Sequence, residues 1–113
     1  MTTVAAALFA ACISERELQD SVMEHAMVRG WRCMHQRPAR TATGWRTATS
    51  GQGKGFPDVL ALRRDRSLVV ELKRVGARPD AEQVAWLEAF REAGWEVYVW
   101  TPADGDEIMA VLA

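Results

Sequence analysis

Two acids and a lysine stand at the ends of two short apolar runs, Val59-Leu60-Ala61-Leu62 and Leu68-Val69-Val70, in a chain of 113 residues. Asp58 opens the first run, and Glu71 and Lys73 flank Leu72 at the close of the second. Runs of this kind read as buried strands, and buried strands seldom carry Asp, Glu or Lys without a partner or a task. The polar Arg64-Asp65-Arg66-Ser67 between them suits a hairpin loop. With Arg63 set opposite Leu68, antiparallel pairing puts Asp58 across from Lys73 and Leu60 across from Glu71. Side chains alternate along a strand, so Asp58, Glu71 and Lys73 share one face while Leu72 points to the other. Asp58 and Glu71 become diagonal neighbours, roughly 7–8 Å apart at the backbone and within joint reach of one cation.

Two carboxylates so close repel each other, and burying them without a counter-charge is costly. Mg²⁺ or Mn²⁺, hard cations that prefer carboxylate, carbonyl and water oxygens, would resolve the conflict. A cation there would polarise a phosphodiester and help to generate hydroxide from water. Lys73 would orient that water or offset charge developing on the phosphate oxygens. The alternative is an ordinary cross-strand ion pair at a sheet end.

Along the chain, Ser14-x-x-Glu17 is a capping box that starts a helix from about Glu15 to Arg29, stopped by Gly30. Leu18, Val22 and Ala26 form its inward stripe. Glu15 precedes Leu18 and Val22 by three and seven residues and lies on that stripe, whereas Glu17, Asp20 and Glu24 lie outside. An inward carboxylate at the first turn is a candidate metal ligand or water-holding group; otherwise it is a helix-dipole acid with no chemical role. Trp31 to Gln36 reads as a first strand. Arg37 to Gly55 reads as a long irregular segment with a turn at Gly51-Gln52-Gly53. Asp80 caps a helix from about Ala81 to Ala93, ended by Gly94. Gln83 has two competing uses: it completes a capping box with Asp80, and its phase with Trp86, Leu87 and Phe90 faces it toward the sheet. Glu96 to Trp100 is a fourth strand. Asp104-Gly105-Asp106-Glu107 opens a short last helix with Ile108, Val111 and Leu112 inward. The order α-β-β-β-α-β-α describes a single small α/β domain with a mixed sheet flanked by helices. Trp31, Trp86, Trp95 and Trp100 read as core residues.

Net charge is −1, so the total does not advertise a nucleic-acid partner. Its distribution does: from Ala26 through Pro57 there is no Asp or Glu, while Arg29, Arg32, Arg37, Arg40, Arg46 and Lys54 supply six positive charges. In the long segment, Arg37, Arg40, Arg46 and Lys54 with Trp45 suit phosphate contacts and stacking on an exposed base; the bland alternative is a solvated loop. Cys12 and Cys33 make no disulfide framework. The apolar stretch from Thr3 to Ile13 lacks a basic leader region and is too short to span a membrane. A cytoplasmic protein with reduced thiols is expected, with residues 1–13 an apolar N-terminal segment and 14–113 the domain.

Pro57-Asp58, the twelve-residue gap and Glu71-Leu72-Lys73 resemble the PD-(D/E)xK nuclease signature. An ordered set of segments resembles, more narrowly, the small stand-alone VRR-NUC domains of phages and bacteria. These are Ser14-Glu15-Arg16-Glu17-Leu18-Gln19, Gly55-Phe56-Pro57-Asp58, Glu71-Leu72-Lys73, Pro79-Asp80-Ala81-Glu82-Gln83-Val84-Ala85-Trp86-Leu87 and Gly94-Trp95-Glu96-Val97. The likeness runs from about Ser14 to the C-terminus. It implies a restriction-endonuclease-like core and a metal-dependent DNA endonuclease using Mg²⁺ or Mn²⁺ and no small-molecule cofactor. Asp58, Glu71, Glu15 and the Leu72 carbonyl would be metal ligands, Lys73 would assist the attacking water, and Gln83 would border the active site, which favours its inward use. Stand-alone relatives cut four-way (Holliday) junctions, which implies junction resolution by a homodimer able to place two symmetric nicks. Residues Thr3 to Ile13 are a candidate dimer contact or else a frayed leader. Two alternatives stand: a nuclease on duplexes, flaps or single strands without junction preference, and a nucleic-acid-binding module that keeps the fold without cleavage.

Overall fold

The Thr3 hydroxyl accepts a hydrogen bond from the Ala6 amide (3.0 Å) and caps a short helix, α1 (Val4–Ala11). The computed structural model describes residues 3–36 and 51–113 in full, and residues 39–41 and 44–46 by their backbone. Of α1 only Ala10 is buried, while Val4, Leu8 and Phe9 are 78%, 65% and 72% exposed. Among the described residues no helix is long and apolar enough to cross a membrane. Helix α2 (Glu15–Val28) starts at the reciprocal Ser14–Glu17 cap, with bonds of 3.1 and 3.3 Å, and buries Leu18, Val22 and Ala26 as its spacing predicts.

Strand β1 (Arg32–His35) follows, then an antiparallel ribbon of β2 (Ala39–Thr41) and β3 (Gly44–Arg46) that stands apart from the main sheet. The expectation of a wholly irregular segment from 37 to 55 is therefore corrected. Strands of three residues are too brief for an alternating pattern to register. Next come β4 (Val59–Arg63), β5 (Arg66–Leu72), helix α3 (Ala81–Glu92), β6 (Glu96–Trp100), a 3-10 turn (Pro102–Asp104) and helix α4 (Gly105–Leu112). The main sheet has the order β1-β4-β5-β6, antiparallel except for the parallel pair β5–β6, whose strands α3 connects. This mixed, helix-flanked sheet is consistent with a restriction-endonuclease-like fold.

The hairpin register differs from expectation by two residues. Arg63 pairs with Arg66, Ala61 with Leu68 and Val59 with Val70. The loop is only Arg64-Asp65, with Arg64 in the left-handed region at φ +57°. A two-residue loop lets Arg66 and Ser67 extend the ladder, which a four-residue loop would leave unpaired. An even shift preserves the face of every side chain. Asp58, Glu71 and Lys73 still emerge together, but Asp58 now falls directly opposite Glu71.

One sheet face, with Val59, Ala61, Leu68, Val70, Leu72 and Trp100, packs on the α2 stripe, Trp31 and Ile108 and Leu112 of α4. The opposite face carries Val69 and Glu71 beneath α3, whose own buried residue is Leu87. Trp86 and Trp95 do not join the main core. They form a half-buried aromatic chain with Phe56 and Phe90, at ring separations of 4.9 to 6.1 Å, on the α3 side.

Candidate active site

Glu71 lies on β5, flanked by β4 and β6, and is 1% exposed. Its Oε1 accepts from Gln83 Nε2 at 3.0 Å and lies 3.7 Å from Lys73 Nζ. Its Oε2 is buried with no hydrogen-bond donor. Burial pushes the Glu71 carboxyl up from about 4.5 to about 9, reinforced by the charge of Asp58, opposed by Lys73, and reinforced again by Glu15. Asp58 is half-buried, and its Oδ2 accepts from the Leu72 amide at 2.8 Å, tying the entrance of β4 to the exit of β5. Lys73 keeps only 14% of its side chain exposed, and its amide donates to the Trp100 carbonyl at 2.9 Å.

The structure thus brings together Asp58, Glu71, Lys73 and Gln83. Glu15, the first residue of α2, is exposed, yet its charge is felt at Glu71. Gln83 was expected to choose between capping and the site, and it does both. Its Oε1 accepts from the Asp80 amide at 2.9 Å while its Nε2 donates to Glu71. A carboxamide has an acceptor at one end and a donor at the other, so the two uses do not compete.

Gly55-Phe56-Pro57 explains how Asp58 is delivered. Gly55 has φ +82°, and a Cβ there would sit 2.8 Å from the Glu82 carbonyl carbon and 2.9 Å from the Gln83 nitrogen. Only glycine permits both that backbone and that approach to the first turn of α3. Phe56 packs edge-on to Trp86, and Trp86 Nε1 donates to the carbonyls of Gln52 (3.0 Å) and Lys54 (3.2 Å). Trp86 therefore fastens the loop that ends in Asp58, a role its reading as core had missed. Its phase with Gln83 and Phe90 was the available signal.

Of the expected DNA-contacting residues, Lys54 is exposed and pairs with Glu82 at 3.5 Å. Arg37 lies outside the described residues, and so do the side chains of Arg40, Trp45 and Arg46, whose backbones belong to the β2–β3 ribbon.

Residues 6–104 match the model of the VRR-NUC domain. The chain belongs to the VRR-NUC family. The match takes in most of α1, further toward the N-terminus than the motifs quoted above. A comparison with individual curated proteins finds no match. VRR-NUC membership indicates a nuclease, with DNA as its implied substrate, and the described site is the part of this VRR-NUC fold where acids and a cation converge. Among the described residues no three His, Cys, Asp or Glu side chains form a ready-made metal cluster. The donor set nevertheless fits a hard divalent cation. Two opposed carboxylates, one with a buried oxygen lacking any donor, present oxygens that such an ion would satisfy.

Proposed function

We propose that this VRR-NUC domain is a Mg²⁺- or Mn²⁺-dependent endodeoxyribonuclease of PD-(D/E)xK type. The observation that carries the reading is the pair Asp58 and Glu71, opposed and partly desolvated, with the Lys73 ammonium beside them. Asp58, Glu71 and the Leu72 carbonyl would hold the cation, with Glu15 as a further carboxylate at the start of α2. A cation bound there would supply Lewis-acid polarisation of the phosphate and acidify a neighbouring water. Gln83 fixes one oxygen of Glu71 and leaves the other uncommitted. Lys73 keeps a positive charge where the phosphate gathers negative charge, and orients the attacking water. The water oxygen bonds to phosphorus, the opposite P–O bond breaks, and the departing oxygen takes up a proton.

We propose four-way junctions as the preferred substrate and a homodimer as the acting form, since two symmetric nicks need two sites related by a two-fold axis. The exposed apolar residues Val4, Leu8 and Phe9 on α1 support a self-association surface. The test is nicking of a four-way junction, a flap and a plain duplex of shared sequence, in Mg²⁺ or Mn²⁺ against EDTA, with Asp58→Asn and Lys73→Ala as controls. Metal-dependent cutting lost in both variants is the expected result. Undiminished cutting by both would refute the site, and equal rates on all three substrates would remove the junction preference.

A further inference from the structure

Lys73 and Gln83 are joined by an ordered turn, and its charged side chains have no partner among the described residues. The turn runs Arg74-Val75-Gly76-Ala77-Arg78-Pro79. The Ala77 amide donates to the Arg74 carbonyl at 3.1 Å, and Gly76 takes φ +90°. That closure brings Arg74 and Ala77 within about 7 Å at the backbone, with Arg78 next in line. Both arginines are exposed, and neither side chain makes a hydrogen bond or ion pair with a described residue. Several of the other described cations are committed: Arg66 to Glu96, Arg91 to Glu88, Lys54 to Glu82, and Arg63 to carbonyls at the end of α4.

A polyanionic strand approaching Glu15 and Asp58 meets acids of its own sign, so the flanks of the site must supply compensating charge. Lys73 is already engaged beside Glu71, at 3.7 Å. Arg74 and Arg78 stand on the β5–α3 turn, whose two ends are anchored on the site residues Lys73 and Gln83. Guanidinium groups suit this task because their donors match phosphate oxygens in pairs.

We propose that Arg74 and Arg78 form a phosphate-binding subsite that grips the nucleic-acid backbone beside the scissile phosphate. The subsite rests on the nuclease reading above and adds to it the place where the flanking strand is held.

The test compares the parent protein with Arg74→Gln/Arg78→Gln, Arg74→Lys/Arg78→Lys and Arg64→Gln. Arg64 is an exposed arginine on the β4–β5 turn, at the far end of the strands, and serves as the charge control. Binding of a labelled DNA duplex is followed by anisotropy in EDTA across a salt series, and cleavage kinetics are measured with Mg²⁺. In the double Gln variant the slope of log affinity against log salt should become shallower by about 1–2, the loss of one or two phosphate contacts. Its KM should rise on the order of tenfold with kcat little changed, the mark of lost uniform binding. The double Lys variant should regain the slope, and Arg64→Gln should leave both readouts unmoved. A double Gln variant that keeps the parent's slope and KM while the parent cuts DNA overturns the subsite alone, and so does an equal effect from Arg64→Gln. A parent protein that neither binds nor cuts DNA in any divalent metal overturns the nuclease reading and the subsite together.

Discussion

At neutral pH the Glu71 carboxyl of the metal-free protein holds a proton, because burial and the facing Asp58 push it up to about 9. A group raised in the folded state lends stability below its unfolded value, near 4.5, and loses it as pH climbs toward about 9. In EDTA, thermal melts should therefore show this contribution fading between about pH 5 and 9. Asp58→Asn removes the facing charge, so its melting temperature should exceed the parent's at pH 8 while its Mg²⁺-dependent cleavage drops at least ~100-fold. A variant less stable than the parent at pH 8, and equally so at pH 5, would contradict the account of Glu71. A cation entering the site must displace the same proton, so apparent Mg²⁺ affinity should tighten by up to roughly tenfold per pH unit from pH 6 to 8. Calorimetry showing a flat profile would mean that Glu71 is not a ligand. The grouping of Asp58, Glu71 and Lys73 was legible because face parity survives an even slip of register. Their direct opposition was not, since it depended on the loop closing in two residues rather than four.

Helix α3 does three things at once, and each comes from its first turns. Gln83 caps, Gln83 also holds Glu71, and Trp86 ties down the loop bearing Asp58. Gly55 is the point where that loop touches the helix backbone. Gly55→Ala should cost about 1–3 kcal/mol, from the forced φ and the clash with Glu82 and Gln83, and lower the melting point by several degrees. It should also cut kcat, because Asp58 would be displaced. Gln83→Glu keeps the capping oxygen but sets a third carboxyl against Glu71 in place of the donor, so its stability should fall below the parent's more at pH 8 than at pH 5 while cleavage falls at least tenfold. Cleavage unchanged in Gln83→Glu would show that Gln83 only caps. The caps and helix bounds were readable from Ser14, Glu17, Asp80 and Gly94, since capping is chemistry among residues three or four apart. The contact of Gly55 with α3 joins residues 27 and 28 apart, and no local pattern encodes it.

Across the whole molecule, the C-terminal helix is held by side chains from residues distant in the chain. Trp31 Nε1 donates to the Leu112 carbonyl, Arg63 to the carbonyls of Arg29, Leu112 and Ala113, and Arg66 to Val111, while both guanidinium groups lie over the Trp31 ring at 4.4 and 4.9 Å. These donors satisfy carbonyls that a helix end leaves open. At the other terminus, α1 leaves Val4, Leu8 and Phe9 exposed among the described residues, the surface proposed above for self-association. Leu8→Asp/Phe9→Asp should leave the fold intact, since neither side chain enters the core. On the proposed homodimer, sedimentation should shift from dimer to monomer, and paired nicking of a junction should be lost while single nicks persist. Identical sedimentation of parent and variant would exclude α1 as the contact.

Strand parity, the α2 stripe and the helix caps follow from chemistry between near neighbours, and for that reason Asp58, Glu71 and Lys73 could be put on one face from the order of residues alone. The unpartnered oxygen of Glu71, the double engagement of Gln83 and the fastening of the Asp58 loop by Trp86 arose only when α3 settled on the sheet. Desolvation and close backbone approach are properties of packed volume, set by residues far apart in the chain, and a one-dimensional pattern holds no record of them.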